Sequence, residues 1–316
     1  MNRLEGVLGI DTSNYTSSVA IFTPDGRICT EKKLLTVPQG GRGLRQSEAL
    51  FQHTVNLPEI LKNVFSKFHV EISAVGVSSK PRDAEDSYMP CFLAGVSAAS
   101  AASAVKNCPV YQFSHQRGHI MAALYSADKL PLVHEPFLAF HVSGGTTELL
   151  LVTPDDELII KCCLLAHTLD LNAGQVIDRV GVMMGFSFPA GKEIDRLSQR
   201  AKKLPKVRPT LKDGNCCLSG VENICKKMYD RKELPEDIAA TALLYVLESV
   251  SAMTGAAQEK YGMLPVVFAG GVMSNTLIRQ KLSERFDCAF AEPEFSCDNA
   301  AGIAILTAMK KGIINI

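Results

Sequence analysis

The chain carries no net charge: 33 Lys and Arg balance 33 Asp and Glu over 316 residues. Its overall field therefore gives no pull toward nucleic acid or a membrane surface, and only a local basic patch could supply one. No C-x-x-C spacing occurs among the ten cysteines, which argues against a zinc-ribbon or thioredoxin-type site. The scattered cysteines, with adjacent pairs at Cys162-Cys163 and Cys216-Cys217, read as buried thiols in a reducing cytosol, so a cytoplasmic location is expected. No apolar leader with a cleavage site opens the sequence. No apolar run reads as long enough to cross a bilayer, so no membrane association is expected.

What is present suits a globular protein of one large or two medium domains, with 47% hydrophobic and 21% charged residues. "GVLGIDTS", "SSVAIFT" and "GRICTEKKLLTV" read as three strands. A Gly- and Arg-rich loop over 37–46 follows, then a helical segment that Pro58 is expected to split. Next come a strand at "SAVGVSS", a small-residue helix at "LAGVSAASAASAV", a strand at "PVYQF" and a helix after Ser114, its expected N-cap. The second half restarts with three strands, "FLAFHVS", "TELLLVT" and "ELIIKCCLLA". Set without a gap 130 residues apart, Ser13 meets Ser143, Thr16 meets Thr146, and Thr23-Pro24-Asp25 meets Thr153-Pro154-Asp155. Strands alternating with helices, in two halves that open alike, predict an α/β tandem duplication. A long amphipathic helix is expected near 236–261, and an irregular basic segment at 202–217.

Several residues are candidates for chemistry. The turn Ser143-Gly144-Gly145-Thr146-Thr147 offers backbone N–H groups and hydroxyls to phosphate oxygens, and glycine lets a ligand approach the backbone. Gly270 and Gly271 follow a strand, and Asn275 could cap the next helix or bond a ligand. His115 and His119 stand four apart on a predicted helix, so both imidazoles share one side, a spacing that suits two ligands of one metal ion. Asp298 is the best-placed acidic third ligand. The intervening Gln116-Arg117-Gly118 removes the Glu that a zinc peptidase of the H-E-x-x-H type needs. Asp11, after the first strand, could bind a metal-bridged phosphate or close a turn. Asp178 could be a solvated helical carboxylate or an acceptor for ribose hydroxyls. Lys202, Lys203, Lys206, Arg208 and Lys212 form a Pro-broken basic run, either a solvated loop or a contact for RNA phosphates.

Taken in order, "LGIDTS", "HQRGH", "HVSGGTTEL", "AGQVIDRV…MGFSFPAGKEIDRL", "CLSG", "FAGGVMSN" and "CDNAAGIA" resemble the bacterial tRNA threonylcarbamoyladenosine transferases, formerly called glycoproteases, of the actin/hexokinase/Hsp70-like superfamily. The resemblance runs through nearly the whole chain. It implies two tandem ribonuclease-H-like (actin-like ATPase) domains, mixed sheets flanked by helices with a cleft between. Residues 1–112, completed by 298–316, would form the first domain and 113–297 the second. It implies a divalent metal, iron or zinc, on His115, His119 and Asp298. It implies a threonylcarbamoyl-adenylate, or ATP or ADP, held by Ser143, Gly144, Gly145, Asp178, Gly191, Gly270, Gly271 and Asn275. Asp11 and Ser143 become the candidate catalytic residues of a metal-dependent acyl-type transferase. That enzyme would move the threonylcarbamoyl group to the exocyclic amine of an adenosine beside the tRNA anticodon. The implied partners are tRNA, an inactive paralogous subunit and a small ATPase.

The sequence departs from the family's pattern at Asn14-Tyr15-Thr16, in "SKPRDAEDSYMP", at Arg117 where an acidic residue is common, at Thr146 or Thr147 in place of a His, and at Gln175 in place of a Glu. Two readings follow: a working transferase, or a nucleotide-gripping subunit that no longer transfers.

Overall fold

The computed structural model describes residues 4–13, 15–37, 44–202, 204–295 and 299–314. Asn14, Lys203, residues 38–43 of the Gly-rich loop and the metal candidate Asp298 lie outside the described residues. The chain forms two compact units, each built on one five-stranded mixed sheet.

The first unit takes in Met1–His134, Thr153–Cys162 and Glu294–Ile316. It runs β1 (Leu4–Ser13), β2 (Thr16–Phe22), β3 (Ile28–Leu34), α1 (Gln46–Lys67), β4 (Val70–Lys80), α2 (Phe92–Lys106), β5 (Val110–Ser114) and α3 (His115–Ser126). The second unit takes in Glu135–Val152 and Cys163–Pro293. Its elements are β6 (Phe137–Val142), most of β7 (Thr147–Asp155), the latter part of β8 (Ile159–His167), α4 (Ala173–Met183), α5 (Gly191–Ser198), β9 (Thr210–Lys212), β10 (Asn215–Cys217), α6 (Ser219–Asp230), α7 (Pro235–Tyr261), β11 (Val266–Ala269), α8 (Thr276–Ser283) and β12 (Cys288–Phe290), Thr153–Cys162 being counted with the first unit. The chain then closes with α9 (Asn299–Lys311) in the first unit. The boundary differs from the sequence reading: α3 packs on α9 and belongs to the first unit, not the second.

The sheet orders are β3-β2-β1-β4-β5 and β8-β7-β6-β11-β12. In both, an antiparallel hairpin (β1–β2, β6–β7) leads, and two parallel strands extend the other edge. Ser13 pairs with Thr16 at the end of the first hairpin, and Ser143 N–H donates to the Thr146 carbonyl at 2.7 Å at the end of the second. The ungapped repeat is therefore a repeat of register as well as of residues.

In the first unit, Leu8, Ile10, Val19, Ile21, Val75 and Val77 pack with Leu57, Ile60 and Val64 of α1 and with Ala94 and Ala99 of α2. Pro58 does not split α1, which is continuous over Gln46–Lys67. An interior proline costs about 3 kcal/mol, whereas Leu57, Ile60 and Val64 are each worth about 1.5–3 kcal/mol when buried; the buried face outweighs the lost bond. The small-residue helix α2 packs on β4 and α1, within its own unit.

In the second unit α7 is the core helix, buried on most of its faces rather than amphipathic. By length and composition it is apolar enough to cross a bilayer, which corrects the sequence reading on that point; most of it is buried. The segment read as irregular contains the β9–β10 hairpin. Its turn is Asp213-Gly214, both at positive φ (50° and 80°), the pattern of a tight hairpin turn.

Candidate functional site

The first unit gathers Asp11, His115 and His119. β1 ends at Ser13, so Asp11 sits fully buried at the strand's C-terminal end. Ser114 caps α3 through its Oγ, which accepts the Arg117 N–H, and this fixes His115 as the first helical residue. Asp11 Oδ2 lies 2.7 Å from His115 Nδ1, and Oδ1 accepts the Ser13 N–H at 2.8 Å. Burial alone would raise the Asp11 carboxyl, but the His115 imidazole and the Ser13 N–H outweigh it and hold the group below the ordinary carboxylate value of 3.8. In the neutral tautomer that donates Nδ1–H to Asp11, the lone pair of His115 lies on Nε2. The His115 and His119 rings stand edge to face, centroids 4.6 Å apart. A carboxylate behind one imidazole of a pair is the arrangement that orients histidine ligands toward a metal, so these donors fit a borderline divalent cation. Among the described residues no group of three His, Cys, Asp or Glu side chains forms a metal cluster.

Beneath Asp11 lies a layer the sequence reading missed. His53 of α1 is fully buried, with Nδ1 2.8 Å from Ser17 Oγ on β2. Burial pushes its imidazole down, against a smaller upward pull from Asp11. Cys91 is close enough to feel the Asp11 charge, and burial lifts its thiol to about 11, so it is no nucleophile at neutral pH.

The second unit gathers the remaining candidates. Gly144 and Gly145 are exposed, and a Cβ on either would meet open space. Ser143 Oγ accepts the N–H groups of Gly145 (3.2 Å) and Thr146 (3.1 Å), folding the turn on itself. The turn rests on the start of α4: Gly174 N–H donates to the Ser143 carbonyl at 3.1 Å. A Cβ on Gly174 would stand 2.6 Å from Gly144 N, so only glycine permits this approach. Just past the neighbouring strand β11, Gly270 has φ 99°, and a Cβ there would fall 2.3 Å from the Val142 carbonyl oxygen. The turn, the start of α4 and Gly270-Gly271 thus meet at one edge of the β6–β11 pair.

Asp178 and Asn275 have structural partners here. Asp178 Oδ1 accepts the Ala190 N–H at 2.8 Å, which holds the backbone ahead of Gly191 at the start of α5. Asn275 caps α8, its Oδ1 accepting the Ile278 N–H at 3.0 Å; of the two roles open in the sequence, capping is the one observed. Asp195 of α5, unnoticed in the sequence, receives the Thr276 N–H and hydroxyl and ties α5 to the start of α8.

Three of the departures from the family pattern have side-chain partners of their own. Arg117 Nε is 2.8 Å from Asp83 Oδ2, with side chains 5% and 10% exposed; Asp83 belongs to the altered "SKPRDAEDSYMP". Gln175 Oε1 accepts the Asn172 N–H ahead of α4, and Thr147 Oγ1 accepts the Ala173 N–H at 2.9 Å.

Two mixed sheets of the same strand order, flanked by helices, define the actin-like ATPase fold. The chain is similar to the crystal structure of full-length HypF in its phosphate- and nucleotide-bound form, with TM-score 0.62 and 13% identity over 100% of this chain and 57% of that one. It is similar to the ROK hexokinase from Thermus thermophilus, with TM-score 0.56 and 14% identity over 97% and 99% of the two chains. A family model, TsaD, tRNA N6-adenosine threonylcarbamoyltransferase, matches residues 29–305. Proteins of that name from Thermosipho africanus and Aromatoleum aromaticum are 32% and 30% identical to the chain. The first match covers 97% of this chain and 95% of the relative, the second 96% and 91%. The chain belongs to the tRNA N6-adenosine threonylcarbamoyltransferase family.

Proposed function

We propose that this protein transfers the threonylcarbamoyl group from threonylcarbamoyl-adenylate to the exocyclic amine of a tRNA adenosine beside the anticodon. The observation that carries the reading is the near full-length family match together with the Ser143-Gly144-Gly145 turn, its glycines exposed, seated on the start of α4. The adenosine amine attacks the carbamoyl carbon, a C–N bond forms, the bond from that carbon to the phosphate oxygen breaks, and the amine proton is lost as AMP departs. AMP is a good leaving group, so no protein nucleophile is needed. Positioning supplies much of the rate, and the target base enters unstacked, as RNA loops are usually read.

In this reading Ser143, Gly144 and Gly145 cradle the phosphate. Gly270 and Gly271 let the nucleoside lie on the backbone. Asp178 sets the chain at Gly191 beside the ribose, and Asn275 frames the adenine side by capping α8. ATP or ADP would occupy the same cradle. His115 and His119, with Asp298 as third ligand, would hold a divalent iron or zinc ion, whose chemistry is that of a Lewis acid for an acyl-type oxygen. Asp11 acts through His115 as a positioning residue. An inactive paralogous subunit and a small ATPase complete the reading, in the cytoplasm.

The non-catalytic alternative draws its force from the substituted residues. Arg117, Gln175 and Thr147 each have a structural partner in this chain, which favours an adapted site over a decayed one. The test is turnover with threonine-labelled adenylate and unmodified tRNA. One AMP released per labelled tRNA supports transfer. Tight adenylate binding with no label on tRNA would leave the nucleotide-gripping subunit instead.

A further inference from the structure

Between Arg200 and Lys212 the sequence holds six Lys or Arg and no Asp or Glu, in a chain of zero net charge. Arg200, Lys202, Lys206, Arg208 and Lys212 are all exposed. Across 206–212 exposure alternates strictly: Lys206, Arg208, Thr210 and Lys212 face solvent, while Val207, Pro209 and Leu211 are partly buried. Val207 and Leu211 pack on the core of the second unit. β9 places Thr210 and Lys212 on one face, as every second residue of a strand, and the same alternation of exposure runs back through Arg208 to Lys206, so three exposed cations share a strip anchored from behind.

Some surface cations elsewhere in this unit have acidic partners: Arg179 with Glu222, Arg196 with Glu193, Lys281 with Glu284 and Arg285 with Glu248; others, such as Lys226 and Lys227 of α6, have no ion pair among the described residues, but they do not share an acid-free run like this one. Among the described residues, no ion pair or side-chain hydrogen bond engages Lys206, Arg208 or Lys212. Unpaired like charges in a row repel one another, and an anionic partner relieves this. The strip is also linked to the phosphate cradle. Lys212 pairs with Asn215 across the β9–β10 hairpin; Asn215 Oδ1 accepts the His167 N–H, and Leu169 N–H donates to the Cys216 carbonyl. Thr168 N–H in turn donates to the carbonyl of Thr147, the last residue of the Ser143 turn.

We propose that the exposed face of Lys206, Arg208 and Lys212 docks the phosphate backbone of the tRNA substrate, an assignment that rests on the transfer reading above. Phosphate contacts set register and orientation without reading sequence, which suits a substrate whose target base must be presented to a nearby cradle.

The test compares the full chain with Lys206→Gln/Arg208→Gln/Lys212→Gln for binding of unmodified tRNA across a salt series. A control variant, Arg179→Gln/Lys281→Gln/Arg285→Gln, removes the same charge from ion-paired positions. Each lost phosphate contact lowers the magnitude of the log K against log salt slope by about 0.7–0.9. The strip variant is expected to lose about 2–3 in slope and roughly tenfold or more in affinity. Its KM for tRNA should rise, while kcat at saturating tRNA and adenylate binding stay unchanged. Wild-type slope and affinity in the strip variant, or an equal loss in the control, overturns the proposal. Strip-dependent tRNA binding without any transfer would overturn the transfer reading while leaving the strip assigned.

Discussion

The Arg117–Asp83 pair gives the sharpest test of how this chain accommodates its departures from the family pattern. Arg117 lies on α3 between His115 and His119 and is 4% exposed. Nε stands 2.8 Å from Asp83 Oδ2, without the alignment of a good hydrogen bond, and Asp83 Oδ1 is buried with no hydrogen-bond partner among the described residues. Oδ2 also accepts the Cys162 N–H at 3.3 Å. The pair is therefore held by charge in a dry setting, where losing one partner strands the other. Such breaks cost about 3–5 kcal/mol, whereas exposed pairs are worth about 0–1 kcal/mol. Arg117→Gln and Asp83→Asn should each cost about 3 kcal/mol or more. The double variant, neutral on both sides and still offering an acceptor to Cys162, should cost less than their sum by a coupling of about 0.5–3 kcal/mol. Denaturant unfolding of the four proteins measures the cycle. Single variants within about 0.5 kcal/mol of wild type, or a double variant equal to the sum, would refute the argument.

Three further outcomes follow from the geometry. Asp11→Asn should lower divalent-cation affinity by about 10–100-fold, the usual cost of losing a carboxylate behind a ligating imidazole; a competition titration with a chelating dye reads it, and unchanged affinity would count against Asp11 as the orienting group. Gly174→Ala should destabilise by about 1–3 kcal/mol through overpacking and weaken adenylate binding, because the new Cβ meets the backbone of Gly144; a melt that rises, as Ala in a helix otherwise would cause, would show the turn had room to move. Asp170 feels burial first, which raises its carboxyl, but hydrogen bonds from Ser219, Leu218 and Leu171 outweigh it and hold it below 3.8. A lowered folded-state value stabilises above the ordinary carboxylate range and fades as pH falls through the folded value. The stability gap between wild type and Asp170→Asn should therefore be full at neutral pH, narrow as pH falls below the ordinary carboxylate range and close below the folded value; a constant gap into strong acid would contradict this.

Local signals carried much of the fold. The repeat beginning at Ser13 and Ser143 survives as matched hairpins because strand register obeys the two-residue period read from the sequence. His115 and His119 meet because helical spacing alone places them on one side. What stayed hidden depends on contacts distant in sequence. Nothing near Arg117 announces Asp83, 34 positions earlier, and nothing near Ser17 announces His53 beneath it. The domain boundary was missed for the same reason, since α3 owes its place to α9 at the far end of the chain. Pro58 misled because its penalty is local, while the face that outweighs it is tertiary. The β9–β10 turn was the avoidable miss: Asp213-Gly214 is a hairpin signal that the surrounding lysines and prolines obscured.

The most direct measurement is the nucleoside profile of tRNA from cells lacking the modification, after incubation with purified protein, threonylcarbamoyl-adenylate and a divalent cation. The account predicts that N6-threonylcarbamoyladenosine appears with wild type and falls sharply with Gly174→Ala and with His115→Ala. A digest holding only unmodified adenosine, from protein that binds both the adenylate and the tRNA, would contradict it.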